Sequence, residues 1–176
     1  MTAMGSHRTI VGQGEYAVTK DPNTTLSAVL GSCVACCAYD PVRGLGGMNH
    51  ILLPGNTGAS HDEQRGYGAW LMEMMLNEMF KTGASRSDIR VKLFGGARMF
   101  ASNWQPGEEN IAFVREFLRA EGYPVTAEDL GGHKARRVNF QAHTGRAWVK
   151  AIDDKVVEQP VKPVPQRQAA DDVDFF

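Results

Sequence analysis

A cysteine and a histidine, each following a glycine-marked bend, are the residues of this chain best suited to covalent chemistry. Cys33 comes directly after Gly31-Ser32, and His50 comes after Gly46-Gly47-Met48-Asn49. A thiol and an imidazole brought together by a fold make a thiolate nucleophile and a proton shuttle, the minimum apparatus for acyl transfer from an amide or ester. The glycine before Cys33 lets the backbone turn sharply and offer N–H groups to a developing oxyanion. Spacing alone leaves a second reading of Cys33 open, as a small buried apolar residue like Val34 and Ala35 beside it.

The other thiols and imidazoles separate from this pair by geometry. In an extended strand Cys33 and Cys36 point to opposite faces, as do Cys36 and Cys37, so the three cannot line one site. A zinc site using Cys33, Cys36 and His50 or His61 would need a knuckle at Cys36, where Val34, Ala35, Ala38 and Tyr39 favour continued strand. A redox pair at Cys33 and Cys36 would normally open a helix, whereas this segment opens an apolar strand. No metal or organic cofactor is therefore expected. His61 falls in a polar stretch and His7, His133 and His143 in terminal or turn segments, all suited to surface roles. His50 instead precedes Ile51-Leu52-Leu53, at the start of a buried strand able to lie beside the cysteine strand. A third group usually holds the imidazole tautomer, and Ser27, on the strand leading into the bend, is the candidate. Gly31, Ser32, Asn49, Gly95 and Gly96 are candidates for substrate contact. The pairs Gly95-Gly96 and Gly131-Gly132 suit a substrate groove and ordinary backbone turns equally well.

The elements that must position these residues follow from periodicity and punctuation. Thr9 to Val11 and Glu15 to Val18 read as short strands, and Asp21-Pro22-Asn23 as a turn. An apolar run from Leu26 to Tyr39, broken at Gly31-Ser32, and its continuation at Gly47 to Leu53 read as neighbouring buried strands. Pro54 to Gly66 reads as an exposed loop. A helix follows over Tyr67 to Phe80, with Tyr67, Leu71, Met74, Met75 and Met79 on one face and Gly83 as its stop; these methionines suit core packing. A strand over Ile89 to Phe94 and a helix carrying Ile111, Val114, Phe117 and Leu118, stopped by Gly122, come next. Strands at Val125 to Asp129, Arg137 to Gln141 and Ala147 to Ile152 complete the pattern, the last two joined through Thr144-Gly145. The expected fold is α/β, a single domain with a mixed sheet packed with helices.

Composition bounds the partners. With 176 residues, 43% of them hydrophobic, the chain suffices for one core. A net charge of -1 with intermixed signs gives no basic field for nucleic acid. No apolar run approaches the roughly 20 residues that span a bilayer, and the first residues lack the apolar core of a signal peptide. Three crowded cysteines argue against a disulfide framework, so a cytoplasmic protein without membrane insertion is expected. Residues 1–8 are expected to be a flexible N-terminus, 9–152 the folded domain, and 153–176 a flexible tail rich in Pro, Gln and Asp. The closing Asp171-Asp172-Val173-Asp174-Phe175-Phe176 reads either as a frayed end or as a short acidic docking peptide.

Five separated motifs, in order, carry a family resemblance. They are Gly14-Glu15-Tyr16-Ala17-Val18, Leu30-Gly31-Ser32-Cys33, Gly46-Gly47-Met48-Asn49-His50-Ile51-Leu52-Leu53-Pro54, Phe94-Gly95-Gly96-Ala97 and Ala127-Glu128-Asp129-Leu130-Gly131-Gly132. Together they closely resemble the chemoreceptor glutamine deamidase family CheD from about Thr9 to Ile152. The resemblance implies an α/β sandwich related to the catalytic domain of cytotoxic necrotizing factor, acting on glutamine side chains of methyl-accepting chemotaxis receptors. It places the family nucleophile on Cys33 and the family histidine on His50. The family's third residue is a threonine, and distance from the cysteine puts it at Ser27, with Thr24 and Thr25 as neighbouring hydroxyls. Serine keeps the hydroxyl but lacks the methyl that restricts χ1. For some members the resemblance also implies docking to the phosphatase CheC, so a regulatory binding module is the alternative function; receptor methylesterase activity is a third.

Overall fold

The protein, described by a computed structural model over residues 6–53, 58, 60–101 and 103–153, is a three-layer α/β sandwich. In chain order its elements are β1 (His7–Ile10), β2 (Tyr16–Thr19), β3 (Thr24–Leu30), β4 (Val34–Asp40), β5 (Leu45–Ile51), α1 (His61–Thr82), β6 (Arg90–Gly95), α2 (Pro106–Glu121), β7 (Val125–Leu130), β8 (Ala135–Gln141) and β9 (Arg146–Ile152). One sheet has the order β1-β3-β8-β9, the other β2-β5-β4-β6-β7. Both are mixed: β1 runs parallel to β3 and β6 parallel to β7, while the other pairs are antiparallel.

Alternation along the central strands builds two cores. Val34, Cys36 and Ala38 of β4 and Ile51 of β5 face the helices, where they meet Leu71, Met72, Met75 and Met79 of α1 and Phe113, Val114 and Leu118 of α2. Ala35 and Cys37, with Met48 of β5 and Phe94 of β6, face the other sheet and meet Leu26, Ala28 and Leu30 of β3 and Val138 and Phe140 of β8. A strand covered on both faces has no polar side, which is why β4 reads as an unbroken apolar run. Met75 and Met79 of α1 fill the core as expected, joined by Met72, while Met74 is only half-buried and lies outside it.

Some boundaries and one grouping differ from the expectations. Strand β5 runs from Leu45 to Ile51, so Gly46-Gly47 lie inside it rather than at a bend, and His50 stands near its end rather than its start. The cysteine strand and the strand that carries His50 are neighbours as expected, β4 pairing with β5, but the part of the apolar run before Gly31-Ser32 is β3 of the other sheet, and the bend carries the chain from one sheet to the other. The strands accordingly form two sheets, because an apolar run shows that a strand is buried but not which strand pairs with it. Helix α1 starts at His61, one and a half turns before Tyr67. Ser60 caps it through a reciprocal box, with Glu63 N–H donating to Ser60 Oγ at 3.2 Å and Ser60 N–H to Glu63 Oε2 at 2.7 Å. Residues 61–63 are exposed, so the first turn carries no apolar period. Gly83 and Gly122 end the helices in the left-handed conformation, as expected. Strand β1 begins at His7, two residues before the expected domain boundary. The tail beyond Asp153, with its acidic aromatic end, and Pro54 lie outside the described residues.

Candidate active site

The bend that carries Cys33 is held by backbone from the far end of β6. Gly96 N–H donates to the Cys33 carbonyl at 2.8 Å, and Ala97 N–H to the Gly31 carbonyl at 2.9 Å. Gly95 sits at φ 109°, and a Cβ there would overlap the Cys33 carbonyl oxygen, so only glycine lets the two backbones meet. A second tier supports the first. Gly131 N–H donates to Gly95 O and Arg98 N–H to Gly132 O, both at 2.8 Å. The nearly buried guanidinium of Arg136 donates to the carbonyls of Asp129 and Gly131 and pairs with the Asp129 carboxylate. Both glycine pairs thus serve the backbone around Cys33. The bend also bonds to α2: the Asn110 amide donates to the Ser32 carbonyl at 3.0 Å.

His50 enters the same inter-sheet layer from the neighbouring strand. It stands opposite Ala35 in the β4–β5 register, and Cys33 precedes Ala35 by two residues. His50 therefore shares the inter-sheet side with Ala35 and Cys37, in whose core Cys33 packs, and lies diagonally across from the thiol. The two are 2% and 5% exposed, so both are shielded from bulk water. The Nδ1 atom of His50 lies 2.9 Å from the carbonyl oxygen of Val11. A carbonyl only accepts, so that contact places the proton of the neutral ring on Nδ1 and leaves Nε2 as the basic nitrogen. Strand β5 is locked in place there as well: His50 N–H donates to Glu15 O at 3.0 Å and Gly14 N–H donates to His50 O at 2.9 Å.

The remaining candidates fall elsewhere. Ser27 is buried on β3, but it alternates with Leu26 and Ala28, which face the inter-sheet core, so it occupies the opposite face of the strand. Its link to the site runs through the backbone, where its carbonyl accepts the Val11 N–H at 2.9 Å. Thr25 has the same parity, and Thr24 bonds Asp21 at 2.7 Å. Asn49 alternates with His50 and faces the helices, its amide donating to Met72 Sδ at 3.1 Å and accepting Cys36 N–H at 3.1 Å. The structure therefore places Cys33 and His50 on the same inter-sheet side, with Gly31, Ser32, Gly95 and Gly96 in the backbone around Cys33, and turns Asn49 and the Ser27 side chain to other faces.

All three thiols are buried, and two of them are held inert by it. Burial pushes the Cys36 thiol up to about 12 and the Cys37 thiol well above its ordinary range, the latter with a further contribution from Cys36, so both stay protonated and inert at neutral pH. Among the described residues no group of three or more His, Cys, Asp or Glu side chains is placed to hold a metal ion, and Cys33 and Cys36 pack in different cores. A concavity of about 550 Å³ borders His50's tether, lined by Thr9, Ile10, Val11, Gly14, Glu15, Tyr16 and Ala17. Sequence reasoning missed Val11, Asn110 and Arg136. Asn110 did leave a signal, as a polar residue one turn from Val114 on the apolar face of α2; a backbone carbonyl such as Val11's leaves none.

The family defined by such a fold and site is given by comparison. Residues 52–151 match a family model described as CheD, chemotactic sensory transduction. The chain is 40% identical, over the full length of both, to a protein of Agrobacterium fabrum named probable chemoreceptor glutamine deamidase CheD. Proteins of the same name from Rhizobium leguminosarum bv. trifolii and Caulobacter vibrioides are 46% and 43% identical, over 97% and 94% of this chain and 93% and 91% of theirs. The chain belongs to the CheD family. Cys33 and His50 precede the matched family segment, but the alignment with the Agrobacterium protein, covering the whole chain, includes both. Among solved structures, the hypothetical protein YfiH of Bacillus licheniformis superposes with a TM-score of 0.42 at 16% identity, over 71% of this chain and 60% of that one. No helix among the described residues is long and apolar enough to cross a membrane.

Proposed function

We propose that this protein is a chemoreceptor glutamine deamidase, a hydrolase that converts receptor glutamine side chains to glutamate through a thioester on Cys33. The observation that carries the proposal is the placement of Cys33 and His50 on one inter-sheet layer, with the imidazole tautomer set by the Val11 carbonyl. The names of the full-length relatives support the substrate class.

Nε2 of His50 takes the thiol proton, and the Cys33 thiolate attacks the carboxamide carbon, forming a C–S bond as the carbonyl π electrons move to oxygen. Backbone N–H groups of the Gly31 to Cys33 bend stabilise that oxyanion. The tetrahedral intermediate collapses as the C–N bond breaks and the imidazolium delivers its proton to the departing ammonia. A water deprotonated by the same imidazole then attacks the thioester, and the C–S bond breaks to release glutamate and restore the thiol. The net change is glutamine plus water to glutamate plus ammonia, with no cofactor consumed. Gly95 and Gly96 hold the bend in shape, and Ser27 is a positioning residue that acts on His50 through Val11.

Mass spectrometry of a folded receptor cytoplasmic fragment, incubated with wild type and with Cys33→Ala, tests this. Glutamine-to-glutamate conversion by wild type alone is expected. Conversion by the Cys33 variant would overturn the thioester route. Hydrolysis of methylglutamate instead of glutamine would replace the reaction with a methylesterase, and stable binding to receptor or to CheC without turnover would make the chain a regulatory module.

A further inference from the structure

We infer that Asn110 is a positioning residue that couples the nucleophile bend to the histidine strand, an inference that rests on the reading of Cys33 and His50 as the reacting pair. Its side chain is fully buried on α2, where it makes two hydrogen bonds of opposite polarity. Nδ2 donates to the carbonyl of Ser32 at 3.0 Å, and Oδ1 accepts the N–H of Leu53 at 2.9 Å. The two partners fix which end of the amide is which, since one can only accept and the other only donate.

The two partners belong to the two halves of the site. Ser32 adjoins Cys33 in the bend between β3 and β4, and Leu53 lies three residues beyond His50, where the chain has left β5. Within the sheet β4 and β5 are zipped together from Val34 to Asp40, and the register stops at the Val34–Ile51 pair. Beyond that pair the strands diverge: one segment becomes the nucleophile bend and the other runs toward α1. Asn110 bridges them two residues past the last ladder pair, so a single rigid amide takes over where backbone pairing ends. Few other side chains could do this. Ionised aspartate offers no donor to Ser32, leucine offers neither bond, and lysine cannot accept from Leu53. A buried carbonyl and a buried N–H left without partners would each seek another, and the bend would shift relative to His50. Displacements on the ångström scale are enough to lower a reaction rate by roughly 10²-fold, since nucleophile and base must stay aligned.

Asn110→Asp keeps the size and the acceptor for Leu53 but removes the donor to Ser32; Asn110→Leu removes both. Each is compared with wild type for turnover on the receptor fragment and for the pH profile of Cys33 alkylation by iodoacetamide, read by peptide mass spectrometry. Both variants are expected to melt as cooperatively as wild type, to lose roughly 10–100-fold in kcat with KM within about two-fold, and to need a higher pH for half-maximal Cys33 alkylation. A purely structural role would lower the melting temperature alone, and unchanged kcat and alkylation profile in folded Asn110→Asp would overturn the inference. If wild type itself fails to deamidate, the reading of function falls, yet the alkylation profile still decides the coupling: a shift in Asn110→Asp sustains it and no shift ends it. Should both variants fail to fold, the wild-type side-chain amide protons of Asn110 are read by NMR; slow exchange is expected, and exchange at the rate of an exposed asparagine would overturn the bridge.

Discussion

The two halves of the candidate site are built to different standards. The Cys33 bend is gripped from three sides: by Gly96 and Ala97 at the end of β6, by Asn110 on α2, and through Gly95 by the Gly131-Gly132 turn that Arg136 holds. The imidazole of His50 is oriented by a contact from Nδ1 to a carbonyl on the segment that follows an edge strand. That segment is itself held to β3 by the bond from Val11 N–H to Ser27 O. A nucleophile must present its sulfur and its oxyanion donors together, so many anchors suit it. A shuttle must accept and release protons, and an anchor on Nδ1 fixes the tautomer with Nε2 as the basic nitrogen. The difference teaches that the bend should fail by unfolding and the histidine by disorientation.

Substituting the reacting atoms has the largest effect. Cys33→Ala is expected to abolish turnover, and His50→Ala to lower it about 10²–10⁴-fold, with unchanged circular dichroism. Gly95→Ala breaks the first half: an added Cβ must displace the Cys33 carbonyl at a backbone angle costly for alanine, so stability should fall by about 2–3 kcal/mol in urea titrations, together with activity. Val11→Pro breaks the second: it removes the N–H that Ser27 receives, and kcat should fall about ten-fold while the melting transition shifts by the equivalent of only about 1–2 kcal/mol. An equal loss of stability in Gly95→Ala and Val11→Pro would erase the distinction between the halves. Ser27→Ala and Ser27→Thr should both leave turnover close to wild type, because the carbonyl rather than the side chain carries the contact.

Asp40, at the opposite end of β4, is the control with the smallest effect on activity. Burial alone would raise its carboxyl, but N–H groups of Ser85, Arg43 and Val42 and the Arg43 guanidinium hold it below the usual carboxylate range. A depressed carboxyl contributes stability that is present above its unfolded value and is lost as pH falls through the folded one. Wild-type stability should therefore drop on acidification below about pH 4. Asp40→Asn should be less stable at neutral pH, flatter in acid, and unchanged in kcat; a lowered kcat would show that strain at this hairpin reaches the site.

Legibility in the sequence follows the range of each interaction. The stops at Gly83 and Gly122, the hairpin at Thr144-Gly145 and the bend at Gly31-Ser32 were readable because backbone conformation there depends on a residue and its immediate neighbours. The start of α1 at Ser60 was readable in principle from the Ser60 and Glu63 spacing, but its exposed first turn carries no apolar period. That β3 and β4 sit in different sheets was not readable, since burial on both faces looks the same whichever sheet a strand joins.

The same division runs through the site. By itself the sequence determined that a thiol stands at a glycine bend and an imidazole on a buried strand, though near the end of that strand rather than its start, because residue type and local backbone freedom are written in order along the chain. Tertiary structure alone decided that the imidazole is held by the carbonyl of Val11 and that the Ser27 and Asn49 side chains face away from the pair. Every residue has a carbonyl, so its use leaves no mark in residue type. The face a side chain occupies is set by strand register, which only the assembled sheets fix.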